Sequence, residues 1–167
     1  MQLYACEIQA QIDGAEAKAF SPAAALRAAR SLARPSGVEE LAAFYRSLEL
    51  LTPDWRTLLE SPGAAPVESP ELRAFAGYEL NRYWLHAVSD LELAARVKMV
   101  LGAVILLAHL GGDGQPARLR AMTLYSKEID DDPDNLDALL DAAYRTAAFT
   151  DDRLLGLLLL GQWRYSQ

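Results

Sequence analysis

Three acidic residues alternate within the stretch EIDDDPDN: Asp130, Asp132 and Asp134. Calcium loops space their carboxylate ligands in this way, but such a loop needs a glycine at its sixth position, where this chain has Asn135. The same residues suit a junction between two helices, because Asp132 can accept hydrogen bonds from a first helical turn and Pro133 fits that turn. We therefore predict a capped helix start here and no metal site.

A second group of residues that could support chemistry falls on one predicted helix. Glu79, Arg82 and His86 follow one another at i, i+3 and i+7 and share a helix face, with Trp84 beside them. They could line a polar small-ligand cleft, although an ion-paired helix surface has the same spacing. The other histidine, His109, has no carboxylate at a spacing typical of zinc sites. Because the sequence also has no glycine-rich phosphate loop, no G-x-S-x-G and no H-E-x-x-H motif, we predict no catalytic residues.

The acidic charge of the chain is concentrated near its C-terminus. Residues 128–152 contain nine Asp or Glu and one base, a net charge of −8, whereas the whole chain has a formal net charge of −7. This segment repels nucleic acid, and no cluster of Lys or Arg elsewhere offsets it. An acidic surface serves solubility or binds a basic protein partner. The candidate partner-binding residues of the segment are Asp130, Asp131, Asp132 and Asp134.

The cysteine content and the apolar runs bear on the cellular compartment. Cys6 is the only cysteine, so the chain cannot form an internal disulfide, as is usual in a reducing compartment. The N-terminus lacks a charged segment followed by an apolar run. The longest apolar run, residues 99–110, is shorter than the roughly 20 residues that span a bilayer. We predict a cytoplasmic protein that does not enter a membrane.

The N-terminal residues alternate between apolar and polar types. Tyr4, Cys6 and Ile8 alternate with polar residues, which is typical of a half-buried strand, and Asp13-Gly14 favours a two-residue hairpin turn. The alanine content of the same stretch is equally compatible with a helix. Strand and helix therefore both stay open for residues 1–20.

From Ser21 onward the pattern is helical. Three pairs each supply an N-cap followed by proline at the first helical position: Ser21-Pro22, Thr52-Pro53 and Ser69-Pro70. Ser36 and Glu39 have the spacing of a capping box, and we expect Asp90 to cap the next long helix. The Pro- and Gly-containing stretch 61–69 can separate residues 1–60 from a helical bundle of residues 70–167 within a single domain, residues 1–167.

The last predicted helix is apolar all round over residues 154–163. Such a helix is buried on several sides or forms an interface. Leu157 and Trp163 are therefore candidate contact residues for a homodimer, with a role in the core as the alternative.

The segment RAMTLYSKEIDDDPDN resembles the second helix and exit of a tetratricopeptide repeat. Ala121, Tyr125 and Pro133 take the small, aromatic and proline positions of that repeat. No second copy follows at the repeat length of about 34 residues, so the resemblance implies a single helix hairpin.

A longer part of the chain, residues 78–144, resembles the helical C-terminal region of flagellin lysine N-methylase-like proteins. The residues that carry the resemblance are Arg82-Tyr83-Trp84, Asp90-Leu91, the segment YSKEI at 125–129, and Asn135-Leu136. It implies methylation of lysines in flagellin or another protein with S-adenosylmethionine. The family's cysteine-rich motif has no counterpart in this sequence, and the resemblance carries over no catalytic residue.

We predict a mainly α protein, a single-domain bundle of about seven helices with or without a short N-terminal β-hairpin. The leading hypothesis for its function is a non-enzymatic helical module that binds a protein partner or a second copy of itself, without a cofactor. One alternative is a protein lysine methylase, or a fragment of one, that depends on S-adenosylmethionine. The other is a small-ligand-binding helical protein.

Overall fold

The computed structural model describes residues 10, 13, 14 and 21–165 of the 167-residue chain. Within them the chain forms eight α-helices, a π-helical turn, a 3-10 turn and two short strands. In chain order these are α1 (Pro22–Leu32), α2 (Val38–Arg46), α3 (Pro53–Glu60), β1 (Val67–Glu68), α4 (Pro70–Asp90), α5 (Leu93–Leu110), α6 (Gln115–Tyr125), the π turn (Ser126–Asp130), α7 (Pro133–Arg145), the 3-10 turn (Ala147–Phe149), α8 (Asp151–Leu160) and β2 (Arg164–Tyr165). The mainly α fold predicted from the sequence is confirmed.

The hairpin predicted for the N-terminus lies largely outside the described residues. Of that stretch, Ala10 has helical backbone, and Asp13 and Gly14 form a turn with Gly14 at φ +95°. The strands that the structure does describe, β1 and β2, have two residues each and pair in parallel, with Val67 beside Arg164. This short pairing fastens the C-terminal segment to the residues that precede α4.

The starts of three helices follow the capping residues that the sequence provides. Ser69 Oγ accepts a hydrogen bond from Leu72 N at 3.1 Å. The side chains of Ser21 and Thr52 accept equivalent bonds at the starts of α1 and α3. In each case the following proline has no N–H to satisfy, so the pair starts the helix at little cost.

Two other predicted caps are wrong. α2 begins after Gly37 without a side-chain cap, because Ser36 Oγ donates to a backbone carbonyl two residues earlier. Asp90 is the last residue of α4 and not the cap of α5. Its carboxylate accepts from Glu92 N and pairs with Arg96, so it stabilises the corner between the two helices.

α5 runs through the centre of the bundle. Its 18 residues have a mean hydropathy of 1.8 and, by length and composition alone, would suffice to cross a membrane. In the fold 78% of this helix is buried, because α2, α4, α6, α7 and α8 pack around it. This burial is consistent with the core helix of a soluble protein.

The main core joins the parts of the chain before and after residues 61–69. Tyr45 of α2 and Trp55 of α3 pack against Tyr125 of α6. Phe149 of the 3-10 turn meets Phe44 edge-on, with ring centroids 5.2 Å apart. These edge and tilted contacts are the arrangements that aromatic rings prefer, so they fix how the early helices sit on the later ones.

α1 is attached to the bundle through small residues. Ala29 and Ala33 contact Leu155 of α8. Beside them Gly156 has no side chain, and an added Cβ would overlap the carbonyl oxygen of Arg34. The close approach of α8 to the end of α1 therefore depends on glycine at position 156.

Candidate functional site

Two carboxyl groups lie inside the fold where α4 meets the π turn. Glu79 of α4 is 1% exposed, and Asp130 is the last residue of the π turn. The hydroxyl of Tyr83, one turn after Glu79, donates to Asp130 Oδ1 at 2.8 Å. Tyr45 and Tyr125 are fully buried next to them, with ring centroids 6.1 Å apart. We call these five residues the buried acid cluster.

The π turn directs Asp130 into the protein. The N–H of Asp131 bonds to the carbonyl of Ser126, five residues back, at 3.0 Å, whereas an α-helix uses the fourth residue back. The wider turn leaves Ile129 and Asp130 both buried and Asp131 exposed. Such turns are frequent at functional sites. The sequence pattern predicted an ordinary helix at this point.

Arg82 covers the solvent side of the buried acid cluster. Its Nη1 lies 3.7 Å from Asp130 Oδ2, and its Nη2 donates to the backbone carbonyl of Asp130 at 3.3 Å. The guanidinium also lies 5.4 Å from the centre of the Tyr83 ring. Part of the Arg82 side chain reaches the surface, so its positive charge lies between the buried acid cluster and solvent.

Three oxygen atoms of the cluster make no hydrogen bond with any described residue: Tyr45 Oη, Glu79 Oε1 and Asp130 Oδ2. A buried polar atom left unpaired costs about 1–3 kcal/mol. The cost is larger for a charged oxygen than for a neutral one, so a proton on Glu79 lowers it. The cluster therefore destabilises the fold most when both of its acids are ionised.

Burial controls the proton affinity of the cluster. Burial and the charge of Asp130 raise the pKa of Glu79 to about 7, against the opposing effect of Arg82. Burial also raises the pKa of Asp130, although the hydrogen bond from Tyr83 and the charge of Arg82 lower it in part. Near neutral pH Glu79 is therefore only partly ionised.

Glu79 can carry a proton, but its carboxyl group is not accessible to a substrate in solution. Glu79 is closed from solvent, and Phe75 packs edge-on against Tyr125 with centroids 5.6 Å apart. What the cluster joins is α4 and the π turn, through the Tyr83 hydrogen bond and the Arg82 ion pair. Neither contact involves Glu79, whose charge acts on Asp130 through space.

The four residues predicted to line a ligand cleft do not face one space. Glu79 lies in the buried acid cluster and Arg82 covers it, whereas Trp84 and His86 are exposed. Trp84 borders a crevice beside Tyr83 of about 10 Å³, which has room for no more than one water molecule. These four residues therefore do not form the ligand-binding cleft that the sequence predicted.

The acidic residues predicted to bind a partner divide between the surface and the interior. Asp131 and Asp134 are exposed. Asp132 caps α7, as predicted, and accepts from Asp134 N at 3.0 Å and from Asn135 N at 3.1 Å. Asp130 does not belong to a contact surface, because the π turn buries it.

The apolar candidates for a partner contact are mostly interior. The sequence predicted Leu157 as a candidate contact residue, but this side chain is buried and not available to a partner. Trp163 is half-buried and donates from Nε1 to the carbonyl of Leu157 at 3.2 Å. Leu159 and Leu160, at the end of α8, are the exposed part of this apolar helix.

A third buried acidic side chain, Glu128, was not among the candidate site residues predicted from the sequence. Its Oε2 accepts from Leu51 N at 2.7 Å, and its Oε1 accepts from Thr52 N at 2.9 Å. Asn135 donates to the carbonyls of Glu49 and Glu128, each at 2.8 Å. We call Glu128 and Asn135 the loop clamp, because together they hold the loop before α3. The sequence feature that could have indicated a buried role for Glu128 is its position on the apolar face of a helix.

No three His, Cys, Asp or Glu side chains of the described part of the chain gather so as to hold a metal ion.

Comparison of the chain with protein-family models, curated proteins and solved structures found no match. The resemblance to flagellin lysine N-methylase-like proteins stays a prediction. Of the residues that carry it, Tyr83, Tyr125, Glu128 and Asn135 are buried and hold α4, the π turn and α7 together.

Proposed function

We propose that the chain is a non-enzymatic helical module that binds another protein through the outer face of α4. The observation that carries this proposal is a row of large apolar side chains on the surface of that helix. Tyr78 is 58% exposed and Leu85 is 72% exposed, and they lie two turns apart on the same side. Trp84, 40% exposed, flanks Leu85. We call these three residues the α4 stripe.

The α4 stripe has the composition of a binding surface. Tyrosine and tryptophan are enriched at interfaces because each combines a large apolar area with a polar atom. Arg82, a residue type that is also enriched there, lies between Tyr78 and Leu85 along the helix. Single exposed leucines are ordinary, but several large apolar residues on one helix are typical of contact sites.

The stripe stands on a rigid support. Behind it, Tyr83 bonds to Asp130, and Leu72 belongs to the main core. α4 also packs along α5, which is the most extensive helix pairing in the bundle. A surface that is already ordered loses little conformational entropy on binding. A partner that presents the apolar face of an amphipathic helix has the matching shape.

The exposed acids next to this surface fit the same proposal in a supporting role. Asp131 and Asp134 lie after the π turn that Arg82 contacts. They favour a partner whose polar rim is basic, since opposite charges speed encounter and reject acidic competitors. We expect the apolar stripe to supply most of the affinity.

Changing Leu85 to glutamate tests the proposal. The substitution puts a charge in the stripe without removing a core contact, because the side chain is largely exposed. Leu51→Glu is the matched control, since Leu51 is 62% exposed on the loop before α3. We expect the wild type and Leu51→Glu to bind the same protein, found by affinity purification, and Leu85→Glu to bind it at least about tenfold more weakly.

The same pair of variants tests a second copy as the partner. Sedimentation velocity over increasing concentrations would show self-association of the wild type and of Leu51→Glu but not of Leu85→Glu. The proposal fails if the wild type stays monomeric up to about 100 µM and no captured protein depends on Leu85.

The cytoplasmic location is part of this proposal and is supported by the single cysteine of the chain, Cys6. Methyl transfer remains the alternative that the family resemblance suggests. Titration calorimetry with S-adenosylmethionine separates the two, because the binding module needs no cofactor. Saturable binding of that cofactor would favour the methylase.

A further inference from the structure

The loop between α3 and β1 is fastened to the end of α5 by two reciprocal hydrogen bonds. Gly63 N donates to the carbonyl of His109 at 2.8 Å, and His109 Nδ1 lies 2.6 Å from the carbonyl oxygen of Gly63. A Cβ at position 63 would lie 3.0 Å from the His109 carbonyl, which is closer than side chains normally come. Glycine at this position therefore permits the double contact.

The contact with Gly63 fixes the tautomer of His109. A backbone carbonyl only accepts hydrogen bonds, so Nδ1 carries the proton and Nε2 of the neutral ring has a free lone pair. Burial lowers the pKa of His109, with the bond to Gly63 opposing, so the ring is neutral at pH 7. His109 is 9% exposed, and Nε2 makes no hydrogen bond with any residue that the structure describes.

His109 borders a cleft of about 420 Å³. This volume lies within the range of small-molecule sites, about 300–1,000 Å³. Its apolar wall is formed by Val38, Pro62, Pro66 and Leu157, and Ser36, Glu39 and Gln162 add polar groups. Glu39 is paired with Arg46, so the wall has little net charge. The cleft thus combines an apolar surface with a hydrogen-bond acceptor, Nε2 of the largely buried His109, whose ring orientation is fixed.

We propose that this cleft binds an uncharged small molecule that lays a ring against the apolar wall and donates an N–H or O–H hydrogen bond to His109 Nε2. A charged ligand would meet no free opposite charge among the lining residues. A ligand without a donor would cover Nε2 and leave its lone pair without a hydrogen bond. The site is separate from the α4 stripe, and its ligand does not depend on the partner of that stripe.

Two pairs of probes test the hydrogen bond. Indole and phenol carry a ring and a donor, and 1-methylindole and anisole have nearly the same shape without the donor. Titration followed by nuclear magnetic resonance reads the amide signal of Gly63 and the ring nitrogens of His109. We expect saturable shifts at both residues and about five- to tenfold tighter binding of indole or phenol than of its methylated counterpart.

A substitution that fills the cleft tests its location. Gly37 lines the cleft at φ −97°, and an added Cβ there has no atom within 4 Å, so a side chain can start from this position and Gly37→Phe is the filling variant. Gly77→Phe is the matched control, because Gly77 lies on α4 and an added Cβ is equally unobstructed. Gly37→Phe should abolish the shifts, and Gly77→Phe should preserve them.

Three outcomes overturn the proposal. One is the absence of saturable shifts at His109 with both donors up to their solubility limits. Another is equal affinity for the donors and their methylated counterparts. The last is binding that persists unchanged in Gly37→Phe.

Discussion

Replacing Glu79 with glutamine should stabilise the protein above neutral pH. The substitution keeps the shape of the side chain and removes the charge that burial disfavours. Below pH 4.5 Glu79 carries a proton in both the folded and the unfolded wild type, so the two proteins should have nearly the same free energy of unfolding.

The size of the effect follows from the rise in the pKa of Glu79 from 4.5 to about 7 on folding. An acid whose pKa is raised by folding leaves stability intact below its unfolded pKa, and stability is lost as pH rises towards the folded value. One pH unit corresponds to about 1.4 kcal/mol, so the 2.5-unit rise costs at most about 3.4 kcal/mol above pH 7. We expect a gain of about 2 kcal/mol at pH 8, below this maximum because the surroundings of Glu79 relax and screen part of the buried charge.

The assay is urea unfolding followed by circular dichroism between pH 4.5 and pH 8. The readout is the difference in unfolding free energy between the Glu79→Gln variant and the wild type at each pH. Groups far from Glu79 titrate equally in both proteins, so this difference reports Glu79 together with Asp130, whose charge is coupled to it. Glu60→Gln, on the exposed last residue of α3, is the control and should show a difference within about 0.5 kcal/mol at every pH.

A difference for Glu79→Gln that stays constant from pH 4.5 to pH 8 would refute the reasoning. So would a variant that is less stable than the wild type at pH 8, because the ionised carboxylate would then be the favoured form. Either result would mean that Arg82 or bound water compensates the buried charge fully.

Three further substitutions follow from single contacts. Glu128→Ala leaves the partly buried N–H of Thr52 without its acceptor, and urea titration should show a loss of about 3 kcal/mol in unfolding free energy. A loss under about 1 kcal/mol would show that water replaces the carboxylate. Leu91 caps α4 at φ +63°, so Leu91→Gly should raise stability by about 1 kcal/mol in thermal unfolding, whereas Leu91→Ala, which keeps the strain, should not. Gly156→Ala should displace α1, because the new Cβ would overlap the carbonyl oxygen of Arg34. Amide hydrogen exchange should then become faster over residues 22–34, while the other helices stay protected. Unchanged exchange over residues 22–34 would contradict the close packing of α1 on α8.

Local signals made the helix starts predictable. Ser21, Thr52, Ser69 and Asp132 each precede a proline, and each caps the helix that follows. A capping side chain and the fixed φ of proline act within three residues, so they need no knowledge of the fold. Ser36 failed as a cap because a nearby carbonyl competes for its hydroxyl.

The buried acid cluster was not predictable in the same way. Glu79 and Arg82 were predicted to line a ligand cleft or to form an ion-paired helix surface, and Asp130 was predicted to be part of an acidic surface. Their meeting depends on the π turn, which buries Asp130, and on a hydrogen bond between Tyr83 and Asp130 that joins residues 47 positions apart. Neither feature leaves a periodic pattern in the sequence, since both arise from how α4 packs on α6 and the π turn.

The loop clamp has a consequence for synthesis on the ribosome. Glu128 meets Thr52 across 76 positions, and Asn135 meets Glu49 across 86. Closing a loop of that length costs on the order of 4 kcal/mol in chain entropy, which the clamp recovers only after the later helices are present. A nascent chain that has exposed α2 and α3 therefore lacks the acceptor for the amides of Leu51 and Thr52, just before α3. This loop should stay open to proteases until residues 128–135 emerge, which makes its protection a marker of completed folding.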